Sequence, residues 1–425
     1  MRILIVGSGG REHALAHRLA SEGNEVVCAP GNAGTALVAE NVAVNADDVT
    51  GLMRFVEQQR IDLTVVGPEA PLVLGIADAF QESGHPIVGP SASAARLEGS
   101  KAFAKAFMAR HEIPTARFSG FRRGELNDAI AYVRSEGAPI VIKASGLAAG
   151  KGAVVCLDLA SAESTLREML DGESFGTASD EVVVESFMEG EEASVFVLCD
   201  GVDYVMLPGA QDHKRIGDGD VGPNTGGMGA YSPAPVLTKS VLERVRHTII
   251  EPTLSGMVEE ETPYAGFLYV GLMIDAGGNP RVVEYNCRLG DPETQVIIPR
   301  IRSRLTDLLT ACAEHRLGGI TAELDDRSAA VVVVASNGYP ASYRKGYPIS
   351  GLDDVGGVAT VYHAGTAESD GRVVTNGGRV LGITGLGQTL QEALSHAYDG
   401  VARIAFEGMT FRRDIGRKGL ARSIS

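Results

Sequence analysis

Residues 281–293, RVVEYNCRLGDPE, bring together side chains that could bind a cation and an anion. The branched and aromatic residues predict a β-strand, in which alternate side chains share one face. Glu284 and Asn286 should therefore point the same way, about 7 Å apart. Both supply hard oxygen acceptors, which suit Mg²⁺ when water and phosphate oxygens complete its coordination shell. The alternative is an edge strand with a solvated polar face, and this segment alone does not separate the two.

Arg288 follows on the same face by parity if the strand continues through Cys287. Its planar guanidinium matches the geometry of a carboxylate or a phosphate. The Gly-Asp-Pro sequence after it predicts a turn.

A second region, IVIKASGLAAGKGAVV, carries two lysines around a glycine-alanine loop. It predicts two strands, with Lys143 at the end of the first and Lys151 in the loop. A Walker A motif needs four residues between its glycines and a Ser or Thr after the lysine, and this loop has neither. The spacing therefore favours a strand–loop–strand lid over phosphates, because an ordinary hairpin leaves the lysines unexplained. We expect residues 145–152 to be mobile without nucleotide, since Gly and Ala provide few side-chain anchors.

Two further segments carry clustered polar residues. In VVVESFMEGEEASVFVL, Glu185 ends one strand and Glu192 lies at the start of the next, which fits either a nucleotide-binding hinge or plain surface acid. The stretch 211–235 is long, rich in glycine and charged, which is typical of a functional loop. Its candidate residues are Asp212, Lys214, Arg215, Asn224, Thr225 and Gly226. His213 in this loop is interpreted as a solvated histidine.

The N-terminal region predicts a parallel α/β unit, with a glycine turn between the first strand and the first helix. The turn nearly matches GxGxxG, but Glu12 stands at the third glycine position and no acidic residue ends the second strand. NAD binding is therefore not expected. The helix N-terminus at Gly9, Gly10 and Arg11 remains a candidate anion site.

Composition limits the class of protein. The chain has 425 residues, 44% of them hydrophobic and 22% charged, which is typical of a globular protein of about three domains. The net charge of −16 argues against a nucleic-acid partner, and no apolar run is long enough to span a membrane. The five cysteines lack metal-ligand spacing, which favours reduced thiols and a cytoplasmic location.

The predicted elements divide the chain into three domains of α/β and α+β type. Residues 1–100 predict a Rossmann-like parallel sheet. Residues 101–320 predict a central domain with a separate subdomain at about 117–190, and Ser100 predicts the N-cap of its first helix. Residues 325–425 predict a small α+β domain, in which VVTNGGRVLGIT indicates a hairpin turn at Asn376 and Gly377.

Ten ordered blocks then resemble one family. They are GSGGREHA, VGPEAPL, LEGSKAF, IKASGLAAGKG, VESFMEGEEAS, QDHKR, PNTGGMGAYSP, GFLYVGLMID, VEYNCRLGDPETQ and VTNGGRVL. Together they resemble the phosphoribosylamine–glycine ligase family (the glycinamide ribonucleotide synthetases) of the ATP-grasp superfamily. The resemblance implies a Rossmann-like N-terminal domain, a central ATP-grasp domain with a mobile lid subdomain, and a small C-terminal domain. It implies ATP-dependent joining of glycine to 5-phosphoribosylamine in purine biosynthesis. A monomer is expected rather than an oligomer.

The resemblance also implies a nucleotide site in which two lysines bind phosphates, a lid covers them, a hinge reads the adenine and a carboxylate binds the ribose. In that order the matching residues are Lys101 and Lys143; Gly146, Gly150, Lys151 and Gly152; Glu185 with the backbone near Phe187; and Glu192. Glu284 and Asn286 match the pair that binds Mg²⁺ or Mn²⁺. Two positions depart from the pattern: Gly271 stands where many ATP-grasp enzymes carry another carboxylate, and Ser145 stands where the family more often has aspartate.

The implied chemistry activates the glycine carboxylate as an acyl phosphate, which the amine of phosphoribosylamine then attacks. Charge on the transferred phosphoryl group would be neutralised by Mg²⁺ and by cationic side chains, among them Lys214, Arg215 and Arg288. We expect Asp212 to bind the glycine ammonium and Arg288 its carboxylate. The phosphate of phosphoribosylamine would lie at Gly9, Gly10 and Arg11, with further substrate contacts from Glu69, Asn224, Thr225 and Gly226.

Two alternatives remain at this stage. One is another ATP-grasp ligase, such as a carboxylase that acts through carboxyphosphate, although GGREHA and PNTGGMGAYSP argue against it. The other is a non-catalytic nucleotide-binding regulator, which should lack the lysine and metal residues that this chain keeps.

Overall fold

The computed structural model describes residues 1–147, 152–172 and 176–422 of the chain. The predicted lid residues Gly150 and Lys151 lie outside these ranges. Within them, no helix has the length and apolar character needed to cross a membrane.

The N-terminal region is a five-stranded parallel sheet in the order β3-β2-β1-β4-β5. Residues 3–6 of its central strand are fully buried, as a parallel sheet covered on both faces requires. The predicted strand–turn–helix–strand unit is therefore confirmed. The elements are β1 (Arg2–Gly7), α1 (Gly10–Ser21), β2 (Glu25–Pro30), β3 (Glu40–Asn41), α2 (Val49–Gln59), β4 (Leu63–Val66), α3 (Glu69–Val73), α4 (Ile76–Glu82), β5 (Ile87–Val88) and α5 (Ala92–Gly99).

Helix α6 (Lys101–Arg110) follows, and the Ser100 side chain accepts a hydrogen bond from Phe103 N, which confirms the predicted N-cap. A four-stranded antiparallel sheet in the order β6-β9-β7-β8 comes next, with two helices and a hydrophobic core of its own. Its elements are β6 (Phe118–Arg122), α7 (Leu126–Glu136), β7 (Ile140–Ala144), β8 (Ala153–Cys156), α8 (Leu159–Leu170) and β9 (Glu181–Ser186).

The central region contains β10 (Glu191–Asp200), β11 (Tyr204–Met206), β12 (Gln211–Asp212), β13 (Arg215–Gly217), β14 (Val221–Asn224), β15 (Gly229–Ser232), α9 (Lys239–Val245), α10 (Glu251–Glu259), β16 (Ala265–Ile274), β17 (Pro280–Asn286), α11 (Thr294–Ile297) and α12 (Leu305–Ala313). Strands β11, β10, β16 and β17 form an antiparallel sheet in that order. In the described part of the chain, strands β13 and β14 pair only with each other, as a hairpin.

The C-terminal region adds β18 (Ser328–Ser336), β19 (Thr360–His363), β20 (Thr366–Ser369), β21 (Arg372–Thr375), β22 (Arg379–Gly387), α13 (Leu390–Val401), β23 (Met409–Thr410) and α14 (Arg417–Arg422). Its sheet runs β12-β15-β18-β22-β19, with β23 beside β18. Two strands of the central region, β12 and β15, therefore belong to the C-terminal sheet.

The predicted hairpin at Asn376 and Gly377 is wrong. These residues connect β21 to β22, but β21 pairs with β20 and β22 pairs with β18 and β19. The tight turn lies one connection earlier, at Asp370 and Gly371, whose φ angles are 50° and 70°. Positive φ at both positions suits a two-residue hairpin. Asp370-Gly371 and Asn376-Gly377 are similar turn sequences, and the strand pairing shows that the first of them forms the hairpin.

Candidate functional site

The strand pair β16–β17 presents the predicted metal ligands. Gly271 lies opposite Glu284 and Tyr269 lies opposite Asn286, with a register shift after Gly271. The shift makes Val283 an extra residue, so Val282 stays in the core although simple alternation would place it on the Glu284 face. Glu284 and Asn286 are both partly exposed, as two residues that share an accessible face should be.

Cations surround Glu284. Burial alone would raise its pKa, but the charges of Lys214, Lys143, Lys101 and Arg288 hold the pKa below its usual value. Glu284 is therefore ionised, and Asn286 adds a neutral oxygen beside it. This pair of hard oxygen donors fits Mg²⁺, which typically uses one or two protein ligands and takes the rest from phosphate and water. In the described residues, no group of three or more His, Cys, Asp or Glu could hold a metal ion without such outside ligands.

Lys214 lies between two carboxylates. Its Nζ atom is 3.0 Å from Glu192 Oε2 and 3.6 Å from Glu284 Oε1. Although burial acts to lower it, the pKa of Lys214 is raised by Glu192 and its other acidic neighbours. Lys214 thus connects Glu192, the expected ribose ligand, with Glu284, the expected metal ligand. Lys214 itself was predicted to be a catalytic residue.

Half-buried Asp212 and buried Glu293 are two carboxylates that interact beside Lys214. Burial raises the pKa of Asp212 to about 8, and Glu293 and the other nearby carboxylates add to this effect, against the pull of Lys214. Glu293 accepts a hydrogen bond from Ser194 Oγ at 3.3 Å. The sequence analysis missed Glu293, although it ends the Gly-Asp-Pro-Glu turn. An incoming ammonium group would suit Asp212, because the carboxylates around it outnumber the one lysine beside it.

The two lysines expected to bind nucleotide phosphates lie on different elements. Lys143, on β7, places Nζ 2.9 Å from Glu185 Oε1 and donates to Val283 O at 3.0 Å. Lys101, at the start of α6, donates to Gly146 O at 3.3 Å. Glu185 also lies 2.9 Å from Lys105 Nζ, so its side chain bridges two lysines. Burial lowers the pKa of Lys105 to about 8 despite this carboxylate.

The hinge residues differ in exposure. Glu185 is only 2% exposed, whereas Phe187, two positions later, is 40% exposed. The Glu185 carboxylate is paired with lysines, so Phe187 is the more accessible of the two residues.

Ser145 has a structural role that the sequence did not indicate. Its Oγ atom accepts a hydrogen bond from Ala102 N at 3.1 Å and lies 3.3 Å from Ser100 Oγ. The two serines therefore cap the N-terminus of α6 together. Both the cap and the Lys101 side chain hold the start of α6 against Ser145 and Gly146, which follow β7.

Arg288 is fixed by carboxylates from two helices of the N-terminal region. It lies 3.2 Å from Glu69 Oε2 and 2.9 Å from Glu98 Oε1. The other Glu98 oxygen accepts a hydrogen bond from Cys287 N at 2.7 Å. Glu69 was a predicted site residue, but Glu98 was missed because its partner is 190 positions away.

Glu12 occupies part of the predicted anion site. Its carboxylate accepts hydrogen bonds from Gly9 N at 2.5 Å and from Arg11 Nε at 2.8 Å. A Cβ atom on Gly7 or Gly67 would come within 2.6 Å of the Glu12 side chain, so both glycines make room for it. The residue that breaks the dinucleotide motif therefore fills this turn with its own negative charge. Arg11 also donates from Nη1 to Leu289 O at 2.8 Å, so two of its donors already have partners within the protein.

The C-terminal region covers the predicted substrate loop. Arg379 Nη1 donates to Gly226 O at 2.5 Å and to Asp291 O at 2.6 Å, and Tyr339 accepts a hydrogen bond from Gly226 N at 2.9 Å. Thr225 donates to Lys214 O through both its backbone and its hydroxyl. The loop that contains Asn224 is thereby fixed beside Lys214. Arg379 and Tyr339 were missed because they lie outside the predicted central domain.

Two further residues of the 211–235 stretch make contacts that the sequence did not predict. His213 is 3% exposed, so its interpretation as a solvated histidine is wrong, and burial lowers its pKa to about 4. Arg215 directs its guanidinium to Gly222 O across the hairpin at 2.7 Å.

Comparisons with known proteins agree with this arrangement. Family models of phosphoribosylglycinamide synthetase match the chain in three regions: the N domain over residues 1–98, the ATP-grasp (A) domain over residues 99–294 and the C domain over residues 329–418. Phosphoribosylamine–glycine ligases from Vibrio parahaemolyticus and Allochromatium vinosum are each 52% identical, and the alignments cover 99% and 100%, respectively, of both chains.

Solved structures extend the likeness. Phosphoribosylamine–glycine ligase from Thermotoga maritima aligns with a TM-score of 0.86 at 35% identity, over 97% of this chain and 100% of that one. The biotin carboxylase domain of a 2-oxoglutarate carboxylase from Hydrogenobacter thermophilus, solved with MgADP, ADP and bicarbonate, shares the fold at 17% identity and a TM-score of 0.71, over 96% of this chain and 91% of that one. Fold and site thus define an ATP-grasp protein. The chain belongs to the phosphoribosylamine–glycine ligase family.

Proposed function

We propose that this protein joins glycine to 5-phosphoribosylamine at the expense of ATP, giving glycinamide ribonucleotide, ADP and phosphate in purine biosynthesis. The observation that carries the proposal is the convergence of four cationic side chains on one carboxylate, Glu284. Phosphoryl transfer depends on positioning and on neutralising negative oxygens, which is what such a cluster provides. Family membership supplies the identity of the substrates.

The nucleotide is proposed to lie between the lid subdomain and the central sheet. Lys101 and Lys143 would bind its phosphates, because both belong to the group of cations whose charges act on Glu284. The backbone near Phe187 would bind the adenine. Of the proposed lid residues, Gly146 and Gly152 are described and flank Gly150 and Lys151, which lie outside the described residues.

Glu284 and Asn286 would hold the metal ion, which we propose to be Mg²⁺ or Mn²⁺. When bound, the metal neutralises phosphate charge and orients the transferred phosphoryl group. Glu192, 3.0 Å from Lys214, is accessible enough to bind a ribose hydroxyl.

Glycine is proposed to bind beside Asp212. Its ammonium group would restore the charge that burial suppresses on this carboxylate, and its carboxylate would face Lys214 and Arg288. The carboxylate oxygen attacks the γ-phosphorus of ATP, the bond to ADP breaks, and an acyl phosphate forms. The amine of phosphoribosylamine then attacks the acyl carbon and expels phosphate, and its surplus proton is lost. No covalent enzyme intermediate is required.

Phosphoribosylamine is proposed to lie where the three regions meet. Gly9, Gly10 and Arg11 face this junction from the N-terminal region, and Glu69 reaches it through Arg288. Asn224, Thr225 and Gly226 approach from the opposite side, and Arg215 stands at the base of their hairpin.

We further propose the division into domains at about residues 100 and 325, a monomer, no nucleic-acid partner and a cytoplasmic location. The five cysteines, all buried and free, support that location.

The experiment that tests the function is ADP release with glycine and freshly generated phosphoribosylamine, each omitted in turn. We expect ADP only when both are present. ADP release that needs bicarbonate and ignores glycine would instead favour a carboxylase that acts through carboxyphosphate. Nucleotide binding without any turnover would favour a regulator.

A further inference from the structure

The β13–β14 hairpin is attached to the end of the C-terminal region by charged groups. The hairpin turn contains Asp218, Gly219 and Asp220. Gly219 N donates to Asp414 Oδ2 at 2.8 Å, and Arg413 N donates to Asp218 Oδ1 at 2.8 Å. Hydrogen bonds thus run in both directions between two segments almost 200 positions apart in the sequence.

Arg412 lies at the centre of this contact and is 1% exposed. Its Nε and Nη2 atoms each donate to one oxygen of Asp414 at 2.8 Å. Its Nη1 atom donates to Asp220 Oδ1 at 2.8 Å and to the backbone oxygen of Arg215 at 3.1 Å. A buried guanidinium paired in this way defines one geometry, because bidentate pairing fixes its plane and its distance from each partner.

The contact continues into the proposed active site. Arg215 is the residue after Lys214, and Lys214 O accepts the Thr225 N–H at 2.7 Å at the other end of the hairpin. On the preceding residue, His213 Nε2 accepts a hydrogen bond from Gly416 N at 3.3 Å. The segment that contains Arg412 therefore holds both neighbours of Lys214: Arg215 through its backbone oxygen and His213 through its side chain.

We propose that Arg412 is a positioning residue for the ligation reaction: it fixes the backbone at Lys214 and Arg215 so that the Lys214 ammonium lies between Glu192 and Glu284. The inference rests on the proposed function in taking Lys214 to act on the substrates. Among the described residues, Arg412 donates its hydrogen bonds to Asp414, Asp220 and the Arg215 backbone, and none of these three is a proposed nucleotide residue. Its loss should therefore slow turnover without weakening nucleotide binding.

The test compares Arg412→Met, Arg412→Lys and Asp220→Asn with the unchanged protein. For Arg412→Met we expect kcat to fall about 10-fold or more, since a displacement of 1 Å can cost this much. The dissociation constant for ADP should stay within about 2-fold. Arg412→Lys should recover part of the loss, because an ammonium can pair with one of the two carboxylates. Asp220→Asn keeps the shape of its side chain but removes its charge. We expect kcat to fall in this variant too, by less than in Arg412→Met.

Arg413→Met is the matched control, because the Arg413 side chain is exposed and its contribution to the hairpin comes from the backbone. Its kcat should match that of the unchanged protein. Rates are normalised to the folded fraction, so a purely structural role would lower the melting temperature and leave kcat per folded molecule unchanged. That outcome would overturn the inference. If Arg412→Met does not fold, Arg412→Lys and Asp220→Asn decide in the same way. An unchanged protein that releases no ADP with both substrates would overturn the proposed function itself.

Discussion

The ammonium of Lys143 lies 2.9 Å from the Oε1 atom of Glu185, and both side chains are almost completely buried. The two residues belong to neighbouring strands, β7 and β9, whose register places Val141 opposite Glu185 and Lys143 opposite Val183. Glu185 reaches Lys105 through its second oxygen at 2.9 Å. One carboxylate thus pairs with two lysines and connects helix α6 to the sheet β6-β9-β7-β8.

Replacing Glu185 with Gln should destabilise the protein strongly. Removing one partner of a buried ion pair typically costs about 3–5 kcal/mol, because the remaining charge stays buried without compensation. Urea denaturation measures the change. Glu181→Gln is the control, since Glu181 lies on the same strand but is paired loosely with exposed Arg122, and we expect a loss below about 1 kcal/mol. Equal losses for the two variants would contradict this role of Glu185.

Replacing Glu284 with Gln should abolish most of the activity and leave the fold intact. The variant removes a charged metal ligand but keeps the shape, and Lys214 retains Glu192 as its nearer partner. We expect kcat to fall by on the order of 100-fold at limiting Mg²⁺, with partial recovery as Mg²⁺ is raised.

Circular dichroism should show the same folded state as the unchanged protein. Glu57→Gln, an exposed change on α2, is the control for the loss of one negative charge. Full activity of Glu284→Gln at limiting Mg²⁺ would rule out Glu284 as a metal ligand.

Stability should fall in mild acid because of buried histidines between α1 and β19. Burial lowers the pKa of His13 to about 3, with a further contribution from His363, and lowers the pKa of His363 to about 4. Both values lie below the ordinary 6.5. Between pH 6.5 and these lower values, the unfolded chain therefore binds more protons than the folded protein. Stability should therefore be unaffected above about pH 7 and decrease as the pH falls through 6.5 towards 4.

At pH 5, His13 alone should cost ~2 kcal/mol of stability. Thermal denaturation between pH 5 and 7.5 measures the slope. The backbone N–H of His363 donates to His13 Nδ1 at 2.8 Å. His13→Gln keeps an acceptor for this hydrogen bond but removes the titrating group, so it should flatten the dependence of stability on pH. His247→Gln changes an exposed histidine and serves as the control. A slope that His13→Gln and His247→Gln leave equally unchanged would contradict the prediction.

The order of chemical steps makes an isotopic prediction. If the glycine carboxylate takes the γ-phosphoryl group, glycine labelled with ¹⁸O in its carboxylate should transfer one labelled oxygen to the released phosphate. Mass spectrometry of the phosphate detects the transfer. The control uses labelled water and unlabelled glycine, which should leave the phosphate unlabelled. Normal product formation with no label from glycine would exclude an acyl phosphate and require a different activated species.

The sequence by itself determined the features that depend on residues close together along the chain. Alternation along β17 predicted the common face of Glu284 and Asn286, and the glycine turn with Glu12 excluded a dinucleotide motif. Ser100 identified the start of α6. The inferences on β17 and on the start of α6 held because strand alternation and helix capping are decided within a few residues. Ordered motifs along the whole chain then indicated the family, since no single block was specific enough.

The tertiary structure decided which distant residues meet. Glu98 with Arg288, Arg379 with the Gly226 loop, and Arg412 with the β13–β14 hairpin are all joined across 150 or more positions. Strand pairing likewise chose the turn at Asp370 over the one at Asn376, although both sequences suit a hairpin. Such contacts depend on how sheets and helices pack against each other, and packing depends on the summed burial of many side chains rather than on any local pattern.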